Sequence, residues 1–232
     1  MPGKRGRLAA AGFSLCLTFP LHANDTPDYH RTMSANVPAS LPYTGDDEAD
    51  RLLAQEPLAL LIGFVLDQQV PLQKAFSGPL ELRRRIGTLD AAQIAGYDTA
   101  QLEDVFRTRP ALHRFPANMA RRTQELCTAI LRDYGGDAGR VWREATDGRD
   151  LERRLLGLPG IGEMKARTLI AVLAKRFGVR PPGWEEVAPH HPTLADVDSP
   201  ATLAAYQAGK RAYKAEMRAR QAEQASDGDA GR

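Results

Sequence analysis

Cysteine is nearly absent from this chain: Cys16 and Cys127 are the only two in 232 residues. Two thiols cannot build a disulfide scaffold or an all-cysteine metal site, and nothing in their usage points to an oxidising compartment. Cys127 falls on the apolar side of a predicted helix, where a thiol serves as a small hydrophobe. Beyond residue 40 no segment approaches the apolar length needed to span a bilayer. Charge of one sign is also lacking. With 31 basic and 29 acidic residues the net charge is +2, so no global field draws the chain to nucleic acid or membrane. Any preference for anions must come from local clustering. Arg83-Arg84-Arg85, Arg121-Arg122, Arg153-Arg154, Lys175-Arg176 and a basic helix from Lys210 to Arg220 are such clusters. Each taken alone reads as a solvated helix face, because acids are interspersed. Runs that alternate apolar and polar residues are missing too, as is any internal repeat, which leaves an all-α class.

What is present is an ordinary globular composition, 43% hydrophobic and 26% charged, enough for one sizeable core with room for two lobes. Residues 1–40 stand apart. "MPGKRGRLAAAGFSLCLTFPLHA" has a basic start, an apolar stretch and an alanine where cleavage could occur, which is the pattern of a secretory signal. Gly12, Ser14 and Pro20 break that stretch, and the body of the chain has no exported character. The reading adopted is a disordered extension or a mis-set start, with translation from Met33, and a cytoplasmic protein. Export is the alternative if residues 1–23 are a true signal.

From residue 41 to 222 the pattern is helical nearly throughout. Asp46 and Asp47 can cap "EADRLLAQ", and Pro57 opens "PLALLIGFVLDQQ", apolar almost all round and therefore a central core helix. Pro71 starts another helix, and a Ser77-Gly78-Pro79 break leads into "LELRRRIG". Asp90 and Thr99 read as N-caps of short helices. Residues 116–134 are the clearest amphipathic helix, with Met119, Leu126, Ile130 and Tyr134 inward, Arg121, Arg122 and Glu125 outward, and Gly135-Gly136 as the stop. Asp150 caps "LERRLL". "GVRPPGWEEVAPHHP" is a loop, a last helix spans Pro200 to Ala222, and residues 223–232 read as a disordered tail.

The chemistry concentrates near residues 155–177, around "LLGLPGIGEMKART". Pro159 and Gly160 end one helix and Gly162 begins the next, with Ile161 between the glycines. Glycines allow a tight turn and close approach of a ligand. The first amides of the second helix have no partners within it and carry the positive end of its dipole, so a phosphate fits there. Lys165 and Arg167 lie close enough in sequence to reinforce it. A lone Gly-x-Gly is equally a plain C-cap between packed helices. A dinucleotide-binding turn is excluded, because a helix precedes it where a strand is required.

Three stretches in order resemble the HhH-GPD superfamily of base-excision DNA glycosylases, the relatives of endonuclease III. "LPGIGEMKARTLIAVLAKRFG" is similar to its helix-hairpin-helix. "PLALLIGFVLDQQVPLQKAF" is similar to its first core helix with a glutamine-bearing, DNA-contacting turn. "HRFPANMARRTQELCTAIL" is similar to the helix leading toward the hairpin. The likeness covers about residues 41–190 and, within the superfamily, is nearest a small actinobacterial-type branch. It implies a two-lobed all-α fold and a duplex DNA partner. It also implies a monofunctional glycosylase that flips a damaged base and hydrolyses its N-glycosidic bond. The rival reading is a protein that keeps the fold and DNA binding but has lost the chemistry.

The resemblance also assigns residues. Gln69, with Gln68 beside it, takes the place of the side chain that plugs the hole left by a flipped base; alternatively both glutamines only finish a core helix. The family's carboxylate follows a Gly/Pro-rich loop in a Val-Asp setting, and no aspartate stands there. Counting about seven residues on from Gly178 gives Glu185 as the first candidate. Asp198, in "DVDS", is the second. Glu185 read plainly is a first-turn helix acid. Bifunctional members carry a lysine two residues past the second hairpin glycine, where this chain has Met164. Lys165 is rotated about 100° from that position, so lyase chemistry through the usual lysine is not expected. A four-cysteine iron–sulfur motif is missing, so no cluster and no other cofactor is expected. His190-His191 lack partners at ligand spacing, so no metal is expected. Trp184 can stack on a flipped base or simply pack its loop.

Overall fold

The computed structural model describes residues 37–229, with the side chains of residues 214 and 217–229 outside that description. The signal-like stretch, Cys16, the alternative start at Met33 and residues 230–232 lie outside the described residues. Among the described residues the chain is all helical, with no strand. Its elements are α1 (Asp47–Gln55), α2 (Pro57–Leu66), α3 (Leu72–Ile86), α4 (Ala91–Ala95), α5 (Thr99–Arg107), α6 (Pro116–Tyr134), α7 (Arg140–Arg143), α8 (Gly148–Leu156), α9 (Glu163–Arg176), α10 (Trp184–Val187), a 3-10 turn (Leu194–Asp196) and α11 (Pro200–Asp229). No helix among these residues is long and apolar enough to cross a membrane.

Helix α2 is the axis of the molecule. Leu58 through Leu66 are all buried, and α1, α3 and α6 pack around it. Each fully buried Leu, Ile, Val or Phe contributes about 1.5–3 kcal/mol, so a helix without a solvated face belongs only at the centre. Gly63 lets the Phe76 ring of α3 lie against α2, since a Cβ there would sit 2.7 Å from that ring. Phe64 and Tyr43 meet the same ring edge-on, both with centroids at 5.3 Å. A second layer is formed by α4 and α5 against α6, and a third by α8, α9, α10 and the 3-10 turn. One contiguous apolar core links them.

Several boundaries differ from the sequence pattern. Ser77-Gly78-Pro79 is no break: α3 runs unbroken from Leu72 to Ile86 with Pro79 inside it. A Cβ on Gly78 would lie 2.5 Å from Leu66, so this glycine serves close helix approach to α2. Asp98 caps α5 where Thr99 was expected, accepting from the Gln101 N–H. Asp147 caps α8, and Asp150 is instead a buried acid that accepts from the Thr146 N–H at 3.1 Å and Arg154 Nε at 3.0 Å. Helix α8 stops at Leu156, ahead of Pro159, and α11 extends to Asp229, past Ala222. The expected bounds of α6 match, and Cys127 is buried there, its thiol pushed up to about 12 by burial.

Candidate functional site

The α8–α9 hairpin docks on the C-terminal end of α2. Gly160 has φ +81°, and a Cβ on it would lie 3.2 Å from both Val65 methyls, so conformation and packing both require glycine. Gly162 is different. Its φ is −92°, it caps α9, and a Cβ added there would meet nothing within 4 Å. The fold therefore leaves open space in front of the α9 N-terminus, whose first amides have no intrahelical partner. Lys165 ties the two elements together, its Nζ donating to Val65 O at 3.4 Å and Gly160 O at 3.3 Å. Burial pushes the Lys165 amine down to about 8; nearby Asp67 opposes that shift and Arg122 adds to it.

Beyond α2 the chain turns through Asp67-Gln68-Gln69. Gln68 is fully engaged. Its Nε2 donates to Val65 O at 3.0 Å, and its Oε1 accepts from Arg122 at 2.8 Å. The buried His113 ring accepts the Phe115 N–H on Nδ1, so Nε2 carries the proton and donates to Gln68 O at 2.9 Å. Burial holds the His113 imidazole below its ordinary value, consistent with this neutral form. Gln69 is exposed with φ +54°, the one non-glycine residue with positive φ among those described. Such a conformation costs about 1–2 kcal/mol and persists only where neighbours enforce it. The turn thus anchors Gln68 and presents Gln69 to solvent.

Cations around this turn lack acidic partners at ion-pair distance among the described residues. That holds for Arg114, which lies 4.7 Å over the Phe115 ring, and for Arg122 and Lys165. Arg122 leans inward from a position expected to face solvent. Other arginines of the sequence clusters are paired: Arg83 and Arg84 with Glu48, Arg121 with Glu103, Arg153 and Arg154 with Asp150. Arg167, expected to reinforce the hairpin, is paired in the same way, with Glu152 at 3.0 Å and Glu163 at 2.7 Å. Two apolar side chains stand exposed here, Phe115 at 41% and Met164 at 73%.

The two carboxylates expected to carry catalysis are elsewhere. Glu185 lies exposed on α10, which packs at the first residue of α8: Gly148 N–H donates to Pro182 O at 2.8 Å. The hairpin is at the other end of α8, nine residues or about 13 Å away. Asp198 sits at the start of α11, where hydrogen bonds from Thr202 and Ser199 hold its carboxyl below the usual range. It also feels Arg176, the last residue of α9, about 20 Å from that helix's first turn. The structure therefore groups Gln68, Gln69, Gly160, Ile161, Gly162 and Lys165, and separates Glu185 and Asp198 from them. Trp184 packs on the core beside Gly148. His190 and His191 are exposed, and no group of three or more metal-ligating side chains exists among the described residues.

Asp67, His113 and Arg122 belong to the site and were not singled out in the sequence. Arg122 offered a partial signal, as one of a pair of arginines on a helix otherwise read as amphipathic. Comparison with protein-family models, with curated proteins and with solved structures finds no match.

Proposed function

We propose that this chain binds duplex DNA and acts in base-excision repair as a monofunctional glycosylase of HhH-GPD type. The hairpin amides at Gly162 take a backbone phosphate, Lys165 and Arg122 supply positive charge, and Gln69 enters the stack in place of a displaced base. The observation that carries this reading is the pinned turn that holds Gln69 exposed in a left-handed conformation directly beside the hairpin. Inserting a side chain into a base stack must offset a few kcal/mol of unstacking, and a pre-set wedge lowers the ordering cost. Met164 in the place of the family's lysine leaves no amine there, so strand cleavage by that route is not expected.

A second reading, DNA binding without base release, is favoured by one observation: Glu185 and Asp198 lie far from the turn. The DNA-binding part is tested with Gly162→Leu. Open space and φ −92° let the side chain fit at the cost of a poorer N-cap, so the melting temperature should fall only slightly, while a side chain over the helix amides should weaken duplex binding about tenfold, read by fluorescence anisotropy. Unchanged affinity would remove the hairpin from the interface.

A further inference from the structure

We propose that Asp67 is the catalytic carboxylate of this chain, acting on the sugar of the nucleotide that Gln69 displaces. The proposal rests on the base-release reading above and supplies the group which that reading lacks. Asp67 caps the C-terminus of α2, its N–H donating to Gly63 O at 3.0 Å. It is two residues from Gln69, and two from Val65, whose carbonyl holds the Lys165 ammonium. Among the described residues it is the one carboxylate whose charge bears on Lys165.

Three features set Asp67 apart from acids that serve the fold. First, it is half-buried, yet its carboxylate accepts no hydrogen bond from a protein donor among the described residues. The buried Asp50, by contrast, accepts from Tyr43 N–H at 3.1 Å, Thr44 N–H at 2.9 Å and the Thr44 hydroxyl at 2.7 Å. Second, it stands at a helix C-terminus, where the dipole disfavours an acid. Asp46, Asp90, Asp98 and Asp147 occupy N-caps, where the dipole favours one. Third, Lys165, which feels its charge, spends its own hydrogen bonds on the Val65 and Gly160 carbonyls, so the carboxylate keeps its lone pairs for a ligand.

The step it would perform is hydrolysis. The Asp67 carboxylate takes a proton from water as the water oxygen bonds to C1′. The N-glycosidic bond breaks with its electron pair going to the base nitrogen. The proton then passes from Asp67 to that nitrogen, leaving a free base and a C1′ hydroxyl, with nothing oxidised or reduced. Negative charge beside C1′ also steadies the positive charge that builds on the sugar.

The test uses the full chain and duplexes bearing uracil, alkylated, deaminated or oxidised bases, with alkali revealing abasic sites. Wild type, Asp67→Asn, Glu185→Gln and Asp198→Asn are compared in single turnover, with duplex affinity and melting temperature measured for each. Expected is unchanged affinity throughout, base release by wild type, Glu185→Gln and Asp198→Asn, and release slowed about 100-fold or more in Asp67→Asn. The Asp67→Asn melting temperature should stay close to the wild-type value, because the neutral side chain suits a helix C-terminus while Lys165 loses a charge partner; a large drop would mark a carboxylate that serves the fold. Release by Asp67→Asn at the wild-type rate, or its loss in Glu185→Gln alone, overturns the proposal. Binding without release by wild type on every substrate overturns it together with the base-release reading. No binding by wild type overturns the DNA reading itself.

Discussion

The two ends of α9 differ in how far their charges are paired. At its C-terminal end Lys175 is bound to Asp196 at 2.5 Å, Asp198 is held by Thr202, and Arg149 reaches Glu186 at 3.6 Å, while among the described residues Arg176 has no carboxylate at ion-pair distance and its buried Nε has no hydrogen-bond partner. At its N-terminal end, among the described residues, Arg122 and Lys165 have no carboxylate at ion-pair distance and the Asp67 carboxylate has no hydrogen-bond donor, while Met164 stands exposed and Gln69 is strained. Surface ion pairs contribute little, about 0–1 kcal/mol each, so the paired end gains modest stability. What pairing does remove is availability for a charged ligand. The unpaired end keeps that availability and costs the fold something in desolvation and strain, which is what a binding surface requires.

The glycines break this comparison most strongly. At the closed end, a Cβ on Gly148 would lie 2.6 Å from Gly183 O and 2.7 Å from Trp184 Cα. Backbone would have to move, so Gly148→Ala should destabilise by about 3 kcal/mol in denaturant unfolding. DNA affinity should stay unchanged, because the hairpin is at the far end of α8. Gly160→Ala should cost about 2 kcal/mol from its positive φ and its approach to Val65, and should weaken DNA binding as well. Equal losses of affinity in the two variants would show that the ends are not independent.

A smaller effect comes from Lys165, whose amine is lowered by burial to about 8 from 10.5. Between those values the unfolded chain holds a proton that the folded chain has lost. Stability linked to this group therefore rises with pH across that window. Attraction to phosphate moves the other way, fading as pH climbs through about 8. Duplex affinity at fixed salt should fall between about pH 7 and about pH 9, and Lys165→Gln should flatten the curve. A wild-type affinity that does not change with pH would place Lys165 outside the interface.

Much of the fold was legible because its signals are local. Leu58 through Leu66 announce a central helix by having no polar face, and α6 carries Pro116 at its start and Gly135-Gly136 at its end. Gly78-Pro79 misled because close approach to Leu66 is a tertiary fact that no local rule contains. That one helix ends and another begins around Pro159, Gly160 and Gly162, and that α2 ends near the glutamines, was legible from local residue pattern. Their partners were not: His113 and Arg122 reach Gln68 across 45 and 54 residues of sequence. Glu185 was reached by counting along a loop, and the loop runs back to Gly148 instead of to the hairpin. Asp67 stood in view beside the glutamines, but that its carboxylate has no donor among the described residues becomes visible only in three dimensions.

The contrast between open and closed charges is tested most directly by the salt dependence of duplex binding in wild type, Arg122→Gln and Arg167→Gln. Each removes one positive charge, but Arg167 is already bound to Glu152 and Glu163 while Arg122 donates to the neutral Gln68 and has no carboxylate partner among the described residues. Arg122→Gln should lower the slope of log affinity against log salt by about one, and Arg167→Gln should leave it at the wild-type value. Equal slopes in all three proteins, or a loss confined to Arg167→Gln, would contradict the account.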